Sequence, residues 1–362
     1  DNLYLCVADR IEVTNFHGAV KSTMGLTDAE GDPTTVHVAG NSKGAYLAVG
    51  TDRGFIKAWD ISRREAKQHT LVGKKLYAAS PSRATSVQIT CDGSRISATL
   101  EIQQAAGQPA STTRIGNKNA PPAPWSRSTS LYVFLVNEDA MQEHDFSPAG
   151  RIPCGHFWDP VECKLLAVET RQLVSHAAQG RGGAQVEITT IFSTPEVGLK
   201  VRDSFSADDE IESLIALQVP RFYFASSGEA SNEKEKEQAD EDGRTRTGER
   251  TESANRASRL CSRVMREFVG MDKMDETTQH ALVDFSYYLT IGNMDEAHKA
   301  VKLIKNTSVW ENMAKMCVKT KRLDVAEICL GHMGHARGAR AVREVVAQYT
   351  TPTGVSEPDV CA

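Results

Sequence analysis

Apolar and polar residues alternate in short runs along the first 224 residues, and turn residues separate the runs. One pattern of strand, tight polar turn and second strand occurs three times. Its copies are HVAGNSKGAYLAVG (37–50), VQITCDGSRISA (87–98) and FWDPVECKLLAV (157–168), and further strands follow at 55–61, 130–137 and 186–192. This period-two alternation predicts antiparallel strands arranged as repeated structural units.

The spacing of these units is typical of β-propeller blades. Gly44 and Gly93 occupy equivalent turns 49 residues apart, and the longer interval to Cys163 contains an insert rich in proline, alanine and serine at 104–128. Without that insert the period approaches the ~40–45 residues of a blade. The dipeptide Trp59-Asp60 ends the third strand of the first unit, as in WD-repeat blades.

We therefore predict a partial WD-repeat β-propeller over residues 1–225, with about three to four blades. Three blades are complete, a partial one precedes them, and LIALQVPRFYFA (214–225) supplies the first strand of another. Because the pattern opens in mid-strand at Asp1, we expect the N-terminal blades of the ring to be missing from this sequence.

Helical spacing replaces the alternation in the last hundred residues. Ala297, Ala300, Val301 and Ile304 form one apolar stripe, and the turn GNMDEA (292–297) recurs as KRLDVA (321–326), 29 residues later. The repeat predicts a tetratricopeptide-like α-helical hairpin solenoid over 255–350, followed by a tail at 351–362. A small non-repetitive helical bundle is the alternative.

Residues 226–254 separate the two halves and contain no aromatic or branched aliphatic residue. Such a composition buries too little surface to offset chain entropy, so we predict a disordered charged linker. The fold class is accordingly a multidomain β + α protein.

Composition narrows the function classes. The formal net charge of -5 gives no electrostatic basis for binding nucleic acid. No apolar run approaches the roughly 20 residues of a membrane helix, and no secretory leader is evident at the N-terminus, so a cytosolic protein without direct membrane insertion is expected. The eight cysteines form no C-x-x-C pair, and most of them are expected to be reduced, buried and inert thiols.

Two stretches resemble catalytic motifs but have the wrong flanks. Gly40-Asn41-Ser42-Lys43-Gly44 matches the nucleophile elbow of hydrolases, which needs a helix after the serine, whereas strand-like residues follow here. The glycine-rich run 180–183 precedes a strand and not the helix N-terminus of a phosphate loop. We predict a hairpin turn and a flexible loop, respectively.

Two groups carry possible metal ligands. Cys154, His156, Asp159 and Cys163 form C-x-H-x-x-D-x-x-x-C, although the blade pattern accounts for three of these positions.

In the second group, Cys329, His332 and His335 recur every three residues within CLGHMGHARGAR (329–340). There, Gly331 and Gly334 favour a corner between a helix ending near Leu330 and another beginning near His335. A metal, or an anion held by Arg337 or Arg340, remains the alternative. We assign no catalytic, cofactor-binding or metal residue and expect no cofactor.

The helical half also resembles a known family. From about Val264 to Glu344, and most specifically in VWENMAKMCVKTKRLDVA (309–326) and MGHARGARA (333–341), it is similar to the intraflagellar transport protein 140 homologues, subunits of intraflagellar transport complex A. That family joins WD-repeat propellers to a tetratricopeptide-like solenoid. The resemblance is weaker over residues 1–224.

The resemblance implies a non-catalytic structural subunit of complex A, acting in retrograde ciliary or flagellar transport and in ciliary entry of membrane-protein cargo. Its implied partners are other complex A subunits and cargo or adaptors, and its implied location is the cilium or flagellum, basal body and cytoplasm. A vesicle-coat or tethering subunit has the same architecture and stays an alternative. The alternatives from another functional class are a hydrolase that uses Ser42 and a metalloprotein that uses Cys329, His332 and His335.

Overall fold

The structure is a computed structural model, and it describes residues 2–63, 66–69, 73–103, 124–173, 185–208, 211–226, 259–269, 275–304, 307–319 and 323–350. The chain divides into two compact units, Asp1–Arg263 and Val264–Ala362. The glycine-rich run 180–183, the tail 351–362, and all but Ser226 of the segment 226–254 lie outside the described residues, as does most of the insert 104–128.

The first unit consists of antiparallel strands. They are β1 (Leu3–Val7), β2 (Arg10–Thr14), β3 (Val20–Gly25), β4 (Pro33–Asn41), β5 (Gly44–Thr51), β6 (Phe55–Asp60), β7 (Lys67–Gln68), β8 (Lys74–Lys75), β9 (Ser82–Ile89), β10 (Arg95–Gln103), β11 (Trp125–Leu135), β12 (Ala140–Asp145), β13 (Arg151–Trp158), β14 (Leu165–Gln172), β15 (Val186–Thr194), β16 (Gly198–Ser206), β17 (Ile211–Gln218), β18 (Arg221–Ser226) and β19 (Arg259–Val264).

Within the described residues these strands form five sheets, which we number one to five in chain order. Their strand orders are β1-β2-β3, β4-β5-β6-β7 with β8 also on β6, β9-β10-β11-β12, β13-β14-β15-β16, and β17-β18-β19. Sheets two to four contain the three strand–turn–strand repeats, each followed by its outer strands. The predicted blade architecture is therefore confirmed.

The hydrophobic core lies between consecutive sheets. Ile11 and Met24 of sheet one pack against Leu47 and Trp59 of sheet two. Equivalent apolar clusters join sheet two to sheet three and sheet three to sheet four. Trp59, taken above as a WD-repeat marker, is thus a packing residue between blades, which is the role that its large apolar ring suits.

A buried ion pair ties sheet two to the turn before it. The Glu30 carboxylate accepts hydrogen bonds from Lys57 Nζ at 3.0 Å and from the backbone N–H groups of Thr27 and Gly73, each at 2.8 Å. Burial by itself raises the pKa of Glu30, but these donors outweigh it and hold the pKa below its usual value. Lys57 also lies 5.6 Å from the centre of the Trp59 ring.

Sheet five differs from the prediction in two respects. The segment 214–225 belongs to a two-strand hairpin, β17 and β18, that turns at Val219-Pro220. The third strand, β19, falls within 255–350, the range that we predicted to be helical. Its six residues carry too little periodicity to identify a strand, and pairing with β18 decides the structure.

The second unit is helical and contains α1 (Glu276–Ile291), α2 (Met294–Lys302), α3 (Thr307–Lys319), α4 (Leu323–His332) and α5 (Ala336–Thr350). Asp275 caps α1 by accepting a hydrogen bond from Thr278 N, and Gly292 ends it in the left-handed region. The starts of α2 and α4 reproduce the 29-residue repeat, and Ala297, Ala300 and Ile304 are buried as the stripe predicts.

None of the helices in the described ranges has both the length and the apolar character needed to span a bilayer.

Candidate functional site

The first strands of sheets two to five face one another along one side of the propeller unit. Together they line a groove of about 630 Å³, whose wall includes His37, Gln88, Trp158 and Gln218. Val38 and Ile215 also border it and are 41% and 43% exposed. Aliphatic and polar groups alternate along this wall, a mixed surface of the kind used for protein contacts.

Neighbouring sheets meet through their β-turns at this groove. Asn41 Nδ2 lies 3.7 Å from Cys91 Sγ, and Cys91 Sγ lies 3.1 Å from Cys163 Sγ. Asp159 then accepts a hydrogen bond at 2.6 Å from Val219 N. Polar contacts between equivalent turns thus connect sheet two, sheet three, sheet four and sheet five in succession.

Two adjacent residues, Trp158 at the end of β13 and Asp159 in the turn after it, are integral to this arrangement. Asp159 Oδ1 accepts the backbone N–H groups of Val161 and Glu162, which shapes the turn after β13. Trp158 Nε1 donates to Ser97 Oγ at 2.9 Å across the interface between sheet four and sheet three. Both residues are buried, so their polar atoms are satisfied inside the protein.

A second cavity, of about 450 Å³, lies between β9, β13, β14 and β17. Arg127, Glu169 and Arg171 line it, and Glu169 pairs with Arg171 at 2.9 Å. The other carboxylate oxygen of Glu169 accepts a hydrogen bond from Leu214 N at 2.8 Å. These charges therefore join sheet four to sheet five.

His156 lies beside this cavity but is only 1% exposed. Neither ring nitrogen makes a well-formed hydrogen bond within the part of the chain that the structure describes, although the Ser97 backbone is close enough to interact with the ring. Burial lowers the pKa of His156 to about 4, the Ser97 backbone opposes this shift only in part, and His37 adds to it by repulsion. The ring is consequently neutral at physiological pH.

The structure distributes the four residues of the C-x-H-x-x-D-x-x-x-C motif among separate environments. His156 is enclosed in the core, Asp159 shapes a turn, and Cys154 lies 3.7 Å from Arg127 Nη1. Cys163 contacts Cys91 of another sheet. Sequence reasoning missed this pair, although both cysteines lie in equivalent turns of the repeat, which an alignment of the repeats displays.

Ser42 occupies the turn between β4 and β5, and Asn41 Oδ1 organises that turn by accepting hydrogen bonds from Lys43 N and Gly44 N. Strands flank the serine on both sides. This is the hairpin expected from the sequence, and it lacks the strand–turn–helix geometry of a nucleophile elbow.

The corner at 329–340 likewise separates its three possible ligands. Cys329 is fully buried and hydrogen bonded with Cys317 of α3, which, together with burial, raises the pKa of Cys329. The His332 ring stacks on Trp310 with 4.7 Å between ring centres. His335 Nδ1 accepts a hydrogen bond from Gly338 N at 3.1 Å and so caps the start of α5.

The two glycines of the corner have different roles. Helix α4 continues through Gly331 and ends at His332, so Gly331 does not interrupt it as we expected. Gly334 adopts a left-handed conformation with φ of 69° and allows the chain to turn. Gly338 leaves room for the His335 ring, with which any larger residue would collide.

Replacing His335 by alanine is expected to destabilise the helical unit by about 0.5–1 kcal/mol, because the first turn of α5 loses its side-chain acceptor. A divalent-metal chelator is expected to leave the unfolding curve unchanged. Chemical denaturation followed by the circular dichroism signal of the helices measures both effects, and Arg337→Ala is the matched exposed control. Stabilisation by zinc that disappears in the His335 variant would contradict the capping role.

A groove of about 290 Å³ runs between α4 and α5, bordered by Ile328, His332 and Ala339. The ion pair of Arg343 with Glu327 closes one side of it. Across the described ranges of both units, no three His, Cys, Asp or Glu side chains are arranged to hold a metal ion. The features found on the described surface are therefore grooves between secondary-structure elements.

Comparison with known proteins identifies both units. A family model for the IFT140 second β-propeller matches residues 1–113 and 135–227, and a model for the TPR domain of IFT140 and IFT172 matches residues 292–356. Propeller and TPR domains are typically structural.

Among solved structures, Kuenenia stuttgartiensis hydrazine synthase is similar at 17% identity and a TM-score of 0.34, covering 55% of this chain and 49% of that chain. This chain thus matches about half the length of that structure, and the likeness is too low to inform function.

Proposed function

The chain belongs to the IFT140 family, and from that membership we propose that it is a non-catalytic structural subunit of intraflagellar transport complex A. The observation that carries the proposal is the order of the domains in one chain, with the IFT140 second β-propeller followed by the TPR domain of IFT140 and IFT172.

The physical properties of the two units support this proposal. Propeller blades present a rigid set of turns around a groove, and stacked helical hairpins present an extended face, both of which suit protein partners. The groove between the first strands is about 630 Å³ and has no charged cluster comparable to a nucleic-acid interface. From the family membership we infer that the partners of the chain are other complex A subunits and membrane-protein cargo or adaptors.

We further propose that the protein acts at the cilium or flagellum, in retrograde transport and in the entry of membrane-protein cargo. Its contribution there is to hold other proteins in a fixed relative position. No chemical step is required of Ser42 or of the cysteines and histidines discussed above.

Affinity purification from ciliated cells tests the proposal. The tagged full-length protein is expressed in cells whose own copy of the gene is disrupted. Co-purified proteins are quantified by mass spectrometry, and the movement of intraflagellar transport particles is recorded in the same cells. We expect complex A subunits to be enriched and retrograde movement to be restored. If vesicle-coat subunits were recovered in their place, and retrograde movement in the cilium were not restored, the vesicle-coat alternative would be favoured.

The buried Glu30–Lys57 pair supplies an internal control for this experiment. Glu30→Gln is expected to lower recovery of complex A subunits because it destabilises the propeller unit. The exposed Lys74–Asp139 pair provides a matched change, since Asp139→Asn removes one charge on the surface of the same unit. Equal loss of recovery in both variants would indicate that surface charge and not the folded propeller is responsible.

A further inference from the structure

Two cysteines from different blades approach each other at the groove of the propeller unit. Cys91 follows β9 and Cys163 precedes β14, so 72 residues separate them in the sequence. Their sulfur atoms are 3.1 Å apart, about 1 Å more than a disulfide bond. A small movement of either turn would therefore bring the two sulfur atoms to bonding distance.

The surroundings of the pair allow a small reagent to reach it. Cys163 is half-buried, whereas Cys91 is buried but borders the 630 Å³ groove. Cys91 also contacts Asn41 at 3.7 Å and therefore lies between two neighbouring turns. The Asp92 carboxylate lies beside Cys163, but no three His, Cys, Asp or Glu side chains in the described residues are arranged to hold a metal ion.

We propose that Cys91 and Cys163 form a reversible redox site, in which a low-molecular-weight disulfide such as oxidised glutathione converts the two thiols into a disulfide bond between sheet three and sheet four.

The reaction proceeds by two thiol–disulfide exchanges. The Cys163 thiolate attacks one sulfur of the glutathione disulfide, which forms a mixed disulfide and releases one glutathione thiolate. The Cys91 thiolate then attacks Cys163 Sγ, which forms the internal disulfide and releases the second. Two cysteine thiols are oxidised, one glutathione disulfide is reduced, and the two thiol protons pass to the two glutathione thiolates.

The environment makes oxidation of this pair slow at neutral pH. Burial raises the pKa of Cys163, and the neighbouring Cys91 and the Asp92 carboxylate raise it further. The thiolate fraction is consequently small, so the oxidation rate is expected to increase as the pH rises from 7 to 9. In a reducing compartment the pair remains a dithiol and responds only when the disulfide pool grows.

Oxidation is expected to strengthen the contact between two blades that apolar packing and the Trp158–Ser97 hydrogen bond hold together. Because the bond closes a long loop in the unfolded chain, the propeller transition should move up by about 5–10 °C.

The test uses the purified full chain in glutathione buffers of increasing oxidised fraction. After quenching and alkylation, peptide mass mapping should find a cross-linked pair of peptides that contain Cys91 and Cys163. The calorimetric transition should rise in parallel and return to its original temperature after reduction. Cys91→Ser should instead accumulate a glutathione adduct on Cys163, without the rise.

Cys6 provides the matched control because it is exposed on β1, outside the pair. Cys6→Ser should leave both the cross-link and the thermal shift unchanged. The proposal would be overturned if the wild-type pair stayed reduced in buffers that modify Cys6, or if Cys163 kept a glutathione adduct without forming the cross-link. These outcomes are independent of whether complex A subunits bind the chain.

Discussion

Replacing Glu30 by glutamine is expected to lower the free energy of unfolding of the propeller unit by about 3–5 kcal/mol. The substitution leaves the Lys57 ammonium buried without its counter-charge, since the Lys57 side chain is 8% exposed and that of Glu30 is 5% exposed. It also disturbs the oxygen atoms that accept hydrogen bonds from Thr27 N and Gly73 N. Both effects penalise the folded state, because a buried charge or donor that loses its partner is not compensated by water.

A double-mutant cycle separates the charge from the shape of the site. Lys57→Met removes the cation while retaining a long apolar side chain, so the pair Glu30→Gln and Lys57→Met together should be less destabilising than Glu30→Gln alone. Urea denaturation at pH 7 measures all four members of the cycle. Buried charges are little screened, so the loss should change little between low and high salt.

The exposed pair Lys74–Asp139 calibrates this result. Its side chains are 36% and 65% exposed, so Asp139→Asn is expected to change the free energy of unfolding by no more than about 0.5 kcal/mol. Asparagine also tolerates the positive φ of 50° at position 139. If Glu30→Gln were no more costly than Asp139→Asn, the Glu30 cluster would have no special role in the propeller.

His156 is expected to make the propeller unit sensitive to mild acid. The folded state binds a proton at this ring only near pH 4, whereas a histidine in the unfolded chain binds one near pH 6.5. Between these values the unfolded state holds more protons, so stability decreases as the pH falls from about 6.5 to 4. The pKa difference corresponds to a loss of about 2 kcal/mol by pH 5 and about 3 kcal/mol by pH 4.

His156→Leu should remove this part of the pH dependence. The variant is expected to match or exceed the wild-type stability at pH 7.5, because the buried ring nitrogens without partners are gone. The difference between variant and wild type should then widen as the pH falls from 6.5 to 4.5. Urea denaturation at several pH values measures it, and His17→Gln, at an exposed position, is expected to keep the wild-type slope.

The comparison of variant with wild type isolates His156 from other titrating groups. Carboxylates with lowered pKa values, such as Asp92 and Asp145, also make the protein less stable in acid as they take up protons. This contribution is the same in the wild type and in the variant. Parallel curves for the wild type and His156→Leu between pH 6.5 and 4.5 would contradict the assignment of the acid sensitivity to this ring.

Much of the architecture was predictable from local patterns. The repeated strand–turn–strand units locate sheets two, three and four, and the 29-residue repeat locates the starts of α2 and α4. These features depend on residues that are near each other in the chain, where side-chain period follows directly from backbone geometry. The same local information predicts the hairpin that contains Ser42 and the corner that follows α4.

Other features of the structure could not be predicted from local sequence patterns. The strand β19 lies beyond a long polar segment, and its place in sheet five depends on pairing with β18 and not on its own composition. Gly331 has the residue type of a helix end, yet α4 continues past it, because the next glycine, Gly334, adopts the left-handed conformation.

The sequence alone therefore determined the class of each half, the periods of its repeats and the membership of the chain in its family, because periodicity and motif are properties of neighbouring residues. Only the tertiary structure decided that Cys91 meets Cys163, that Lys57 neutralises Glu30, and that His156 is buried without a well-formed hydrogen bond. The cysteine contact depends on how two blades align when their apolar faces pack, and the Glu30–Lys57 pair depends on how the turn before β4 folds over sheet two. Neither arrangement follows from the side-chain period of a single strand.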